Sequence, residues 1–146
     1  MLQGAKANNN GILFEKSVEQ FLVQSGHTVY PSPRYKAVWH GGGRLNETDI
    51  YLKDADTQIE CKFQDVGGTA DQKYGSEIQN AYEKIRCEHY ILLYGGAHWD
   101  KPRGNNIYKA AQRLAALYNK LEDKPGAKKI SVMKLSEFKE WINEQS

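Results

Sequence analysis

Residues Glu47 to Lys62, E-T-D-I-Y-L-K-D-A-D-T-Q-I-E-C-K, constrain the fold more than any other stretch of the chain. Two short runs alternate polar with apolar residues on either side of Lys53-Asp54-Ala55-Asp56, the pattern of an antiparallel hairpin. In the first run Asp49, Tyr51 and Lys53 share one face, with Ile50 and Leu52 on the other. In the second, Ile59, Cys61 and Phe63 face one way and Gln58, Glu60, Lys62 and Gln64 face the opposite way. A two-residue loop at Asp54-Ala55, or its symmetric four-residue version, pairs Lys53 with Asp56, Leu52 with Thr57 and Asp49 with Glu60. Opposed residues on one face hold their Cβ atoms roughly 4.5–5.5 Å apart. The hairpin therefore sets two carboxylates side by side, with an ammonium two residues further along. Like charges so placed repel unless something neutralises them, and hard oxygen ligands suit Mg²⁺. An exposed sheet face with ordinary charges is the plainer outcome of the same pattern.

A chain of 146 residues has room for one domain with one sizeable core, expected to span residues 1–146. Its 40% hydrophobic and 26% charged content are those of a soluble globular protein. No apolar run approaches the ~20 residues needed to span a bilayer, so no membrane association is expected. The opening M-L-Q-G-A-K-A-N-N-N lacks the apolar core of a secretory leader. Two cysteines, Cys61 and Cys87, fit a reducing compartment, and the cytoplasm is the expected location. The net charge of +2 hides an asymmetry: residues 1–100 carry 10 Lys and Arg against 13 Asp and Glu, residues 101–146 carry 10 against 5. A basic part beside an acidic one suits a polyanionic substrate, and equally suits a solvated helix face.

Asn10 to Gln24 has helical spacing, with Phe14, Val18, Phe21 and Leu22 on one stripe and Ser25-Gly26 as the stop. Glu15 and Glu19 lie four apart on its flank. Thr28 to Tyr30 predicts a strand, stopped by Pro31-Ser32-Pro33. The stretch to Asn46 interleaves Arg34, Lys36 and Arg44 with Trp39, His40 and a glycine run. Charge for phosphates and planar groups for stacking are what a nucleic-acid-contacting loop needs. Those glycines form no P-loop, since no Gly-Lys-Ser/Thr follows. Tyr74 to Arg86 predicts a helix with Ile78, Tyr82 and Ile85 inward, and His89 to Tyr94 a buried strand. Gly95 to Asn106 is expected to be irregular, with Lys101 and Arg103 as further phosphate contacts. Ile107 to Leu121 predicts a helix burying Leu114, Leu117, Tyr118 and Leu121. A strand at Ile130 to Met133 and a helix capped by Ser136 follow.

The spacing of Asp49, Glu60 and Lys62, D-x10-E-x-K, resembles the PD-(D/E)XK nuclease superfamily, with Thr48 where the family's name has Pro. The string C-K-F-Q-D-V-G-G-T-A-D-Q-K from Cys61 to Lys73 resembles a restriction-endonuclease-like branch of it, and G-I-L-F-E resembles the placement of an acidic residue on the first helix. The resemblance covers about Asn10 to Trp99 and leaves the C-terminal third as an unmatched appendage. It implies an α/β fold: a restriction-endonuclease-like core whose mixed central β-sheet is flanked by helices on both sides. It also implies a Mg²⁺-dependent DNA endonuclease, with Mn²⁺ substituting. Asp49, Glu60, the Cys61 carbonyl and Glu15 would hold the metal, and Lys62 would orient or help deprotonate the attacking water. Gln64 and Lys73 would lie near the DNA, joined by Arg34, Arg44, Lys101 and Arg103, and a cut in both strands would favour a homodimer. A DNA-junction resolvase of the same fold and a catalytically silent DNA-binding module are the alternatives.

Overall fold

The computed structural model describes residues 3–31, 38–39, 45–46, 49–67 and 70–145. Its centre is a five-stranded mixed sheet of order β1-β4-β5-β6-β7, formed by β1 (Val29–Pro31), β4 (Ile50–Leu52), β5 (Thr57–Phe63), β6 (His89–Gly95) and β7 (Lys129–Lys134). β1, β4 and β5 run antiparallel, whereas β5, β6 and β7 run parallel. A separate two-stranded ribbon pairs β2 (Val38–Trp39) with β3 (Leu45–Asn46), within a stretch expected to be loop.

The hairpin forms in the predicted register. Ile50 pairs with Ile59, Tyr51 with Gln58 and Leu52 with Thr57, across a turn closed by the Asp56 N–H donating to the Lys53 carbonyl. Asp56 takes a positive φ of 44° there, a conformation that Asp tolerates better than most residues. Its polar face is no solvated surface, because Gln58 is fully buried.

The two parallel crossovers explain that burial. β5 passes through α2 (Ala70–Glu83) to β6, and β6 through α3 (Pro102–Asn119) to β7. Both steps move the same way across the sheet, so the right-handed crossover rule puts both helices on one face. There Ile78, Ala81, Tyr108, Ala111 and Ala115 pack on Tyr51, Tyr90, Leu92, Tyr94, Ile130 and Val132. α1 (Gln3–Gln24) and α4 (Leu135–Glu144) cover the other face, where Phe14, Val18, Leu22, Phe138 and Ile142 meet Ile50, Leu52, Ile59, Ile91 and Leu93. Every residue of β6 is buried, as a strand covered on both faces must be.

Four expectations need correction. α1 begins at Gln3, seven residues before Asn10. The stretch 95–106 is ordered: a 3-10 turn at Ala97–Asp100 buries His98 and Trp99, and Pro102 opens α3. Trp99 stacks on Tyr94 at 4.2 Å between ring centroids, and Pro at the first helical position costs no hydrogen bond. The buried stripe of α3 is Gly104, Tyr108, Ala111 and Ala115, while Leu117 and Leu121 are 60% and 46% exposed. Small residues let this helix approach closely, and a Cβ at Gly104 would overlap the His98 carbonyl. Finally, the N-cap of α4 is Lys134 rather than Ser136, the Lys134 N–H donating to Glu137.

β7 is an edge strand whose outer groups are largely spoken for. The Asn119 side chain donates to the Ile130 carbonyl and accepts from the Ile130 N–H, both at 2.8 Å. Gln112 donates to the Val132 carbonyl, and the Lys134 N–H donates to the Tyr108 hydroxyl. At the opposite edge β1 ends at Pro31, which has no N–H to offer.

Candidate active site

Strand β5 outruns β4: the ladder between them stops at Ile50 and Ile59 while β5 continues to Phe63. Extending the register by one step sets Asp49 opposite Glu60. Asp49 lies at the fork where the strands part, and its Oδ2 accepts the Cys61 N–H at 2.8 Å, taking the place of a strand partner. That bond fixes the carboxylate beside β5. Glu60 and Lys62 share the next two same-side positions, with the Lys62 Nζ 3.4 Å from Glu60 Oε1.

Glu15 reaches the same place from α1. Its pKa is raised to about 7 by burial first, then by the charge of Asp49 and a hydrogen bond to it. Glu60 is pushed up to about 8, by burial first and next by Asp49, against the opposing pull of Lys62. Burial also raises Asp49, although the Cys61 N–H and Lys62 pull the other way. For Lys62, burial lowers the pKa, but Glu60 and Glu77 outweigh it and hold the ammonium above its ordinary value. Burial pushes the Cys61 thiol well up, which makes it an inert core sulfur.

Glu77 was not anticipated. It stands on α2 with Oε2 2.9 Å from Lys62 Nζ, closer than Glu60, and the three side chains are only 19–25% exposed. The signal was its position one turn after Lys73, on the flank of the stripe formed by Tyr74, Ile78 and Ala81.

The remaining predicted residues divide. Lys73 is exposed in the first turn of α2, and Arg103 is exposed in the first turn of α3. Lys101 donates to the Asp65 carbonyl at 2.9 Å, and Gln64 folds its carboxamide onto the Val66 carbonyl at 2.8 Å. The Gln64 N–H donates to the Gly95 carbonyl and the His98 N–H to the Gln64 carbonyl, so the loops leaving β5 and β6 are laced together. Both loops leave the carboxyl ends of parallel strands, where open α/β sheets bind their ligands. Arg34 and Arg44 lie outside the described residues.

Among the described residues, no three Asp, Glu, His or Cys side chains close into a ready-made metal cluster. The carboxylates are linked in pairs instead, Glu15 to Asp49 and Asp49 to Glu60. The donor set nevertheless fits a hard divalent cation: carboxylate oxygens held against one another's charge, with Lys62 to offset them.

A mixed α/β sheet with this acid-and-lysine group at the fork of β4 and β5 defines a restriction-endonuclease-like protein. The chain belongs to the PD-(D/E)XK nuclease superfamily, whose nuclease domain model matches residues 6–146. That span includes the C-terminal third, so α3, β7 and α4 are integral to the domain rather than an appendage. Nucleases of this superfamily are generally dependent on a divalent metal and act on nucleic acid. No curated protein and no solved structure shows significant similarity to the chain. No described helix is long and apolar enough to cross a membrane.

Proposed function

We propose that the protein is a Mg²⁺-dependent DNA endonuclease of the restriction-like or mobile-element type, a single catalytic domain acting in the cytoplasm. The observation that carries the reading is the placement of Asp49, Glu60 and Lys62 at one strand fork, with Glu15 against Asp49. Asp49, Glu60, the Cys61 carbonyl and Glu15 would hold Mg²⁺, which when bound supplies Lewis-acid activation of water and charge neutralisation at the phosphate. Hydrolysis joins the water oxygen to phosphorus, breaks one P–O ester bond and leaves its proton on the departing sugar oxygen.

Lys62 acts in this scheme as a fixed cation. Flanked by Glu60 and Glu77, the amine keeps its proton, so it orients water and stabilises charge building on the phosphate rather than removing a proton. Lys73 stands one turn, about 6 Å, before Glu77 on the same flank. Lys73 would then bring a second ammonium to the approach to the site, with Gln64, Lys101 and Arg103 as further contacts to the nucleic acid. Arg34 and Arg44 would extend this phosphate-binding surface. Cleavage of both strands would call for a homodimer, since one chain offers one site.

Supercoiled plasmid, linear duplex, branched DNA and RNA, each incubated with Mg²⁺, Mn²⁺ or EDTA, test the reading. Metal-dependent cutting of duplex DNA is expected, and Lys62→Met should slow single-turnover cleavage by about a hundredfold or more, the loss typical of removing one charge-stabilising donor, while DNA still binds. A Lys62→Met variant as fast as wild type, or no cutting of any substrate with either metal, would overturn it. Preference for branched DNA would make the protein a junction resolvase.

A further inference from the structure

Among the described residues Lys62 forms ion pairs with two carboxylates and does not treat them alike. Its Nζ lies 2.9 Å from Glu77 Oε2, a full charge-assisted hydrogen bond, and 3.4 Å from Glu60 Oε1, a looser contact. Glu60 is on the same strand two residues away, whereas Glu77 comes from a different element, α2. The helix is itself fixed against the sheet by Ile78, fully buried beside Glu77, and by Ala81 one turn on. The anchor of the ammonium is therefore the helix carboxylate, held on a rigid support. Without it, a lysine with a four-carbon stem would collapse onto Glu60 and occupy the oxygens that a cation needs.

We infer that Glu77 is a positioning residue that holds the Lys62 ammonium against α2, keeping the Glu60 carboxylate open to a divalent cation and the ammonium aimed at the scissile phosphate. The inference rests on the nuclease reading and adds to it a residue from outside the D-x10-E-x-K pattern. Glu77 needs no contact with metal or DNA to do this. Its effect runs entirely through Lys62, and that dependence separates it from a plain surface charge.

The test is a double-mutant cycle on the full chain, read in two ways. Titration calorimetry with Mn²⁺ or Mg²⁺ alone measures cation affinity in wild type, Glu77→Gln, Lys62→Met and the double variant. Single-turnover cleavage at saturating DNA measures the rate in the same four proteins. Glu77→Gln should weaken the cation and slow the rate by about 10- to 100-fold, the range seen when a residue supporting a metal site is removed. Made on the Lys62→Met background, the same substitution should change neither. Equal losses on both backgrounds would make Glu77 a ligand or a long-range charge, and no loss on either would make it structural; both results overturn the inference. The two readouts fail separately. Coupling in the cation titration without any cleavage supports the positioning role and removes the nuclease reading. Cleavage without coupling does the reverse.

Discussion

Glu60 stands where a carboxylate is least at ease, largely buried, with Asp49 beside it and Lys62 to offset the charge. Its folded pKa of about 8, against an ordinary 4.5, means that the folded protein keeps a proton which the unfolded chain has already lost. Stability is therefore complete at pH values below about 4.5 as far as this group is concerned, and is lost as pH rises through 8. Glu15, raised to about 7, acts in the same direction. His89 works against them at the lower end: burial pushes it down to about 4, so it costs stability as pH falls below 6.5. The informative quantity is thus a difference between two curves. Glu60→Gln should be more stable than wild type at pH 8 by an amount on the order of a few kcal/mol, and indistinguishable from it near pH 4.5. Saturating Mg²⁺ should narrow the gap by stabilising wild type alone. Thermal melts of both proteins across pH 4.5–8.5, with and without Mg²⁺, check this; parallel curves would refute it.

Among the elements, α1 reaches the site through Glu15. Phe14, 6% exposed, lies where Gly95 of β6 has no side chain, and a Cβ at Gly95 would overlap its ring. Glu15 is the next residue. Gly95→Ala should therefore cost about 1–3 kcal/mol through overpacking and also weaken Mn²⁺ binding by moving Glu15. Gly75→Ala is the contrast, because a Cβ there meets nothing within 4 Å and mid-helix Ala is favoured over Gly by up to about 1 kcal/mol. Denaturant melts and Mn²⁺ titrations of both variants decide; unaltered Mn²⁺ affinity in Gly95→Ala would detach α1 from the site. The same elements show what the sequence could and could not reveal. The hairpin was legible because a strand's period of two ties register to face, so the pairing of Asp49 with Glu60 followed from the pattern alone. The contact face of α3 was not, since Gly104, Ala111 and Ala115 are buried for their smallness and carry little hydrophobic signal. Glu77 was hidden for another reason: a flank carboxylate looks solvated until the facing strand puts Lys62 beneath it.

At the scale of the whole molecule, the sheet is closed to outside strands on the β7 side. Asn119 imitates a neighbouring strand by bonding both backbone groups of Ile130. Asn119→Ala would leave those groups unpaired at a sheet edge, at a cost of about 1–3 kcal/mol and with an invitation to pair with another chain. Concentration-dependent self-association should appear in sedimentation velocity for Asn119→Ala and not for Asn119→Asp at neutral pH, where added charge repels a second copy. Equal behaviour of the two variants would show that the edge is protected by something else.

That closed sheet also bears on the ends of a cut. Two copies that met on the β7 side could not merge their sheets there and would have to pack through helices or loops, so the spacing between their active centres would not be locked to the 4.7–4.9 Å step of strand stacking. For an enzyme that severs both strands of a duplex, this spacing becomes the stagger of the products. The overhang length, read from end-sequenced fragments, would then act as a ruler laid across the dimer, and lengthening a contact loop should change it without touching Asp49, Glu60 or Lys62.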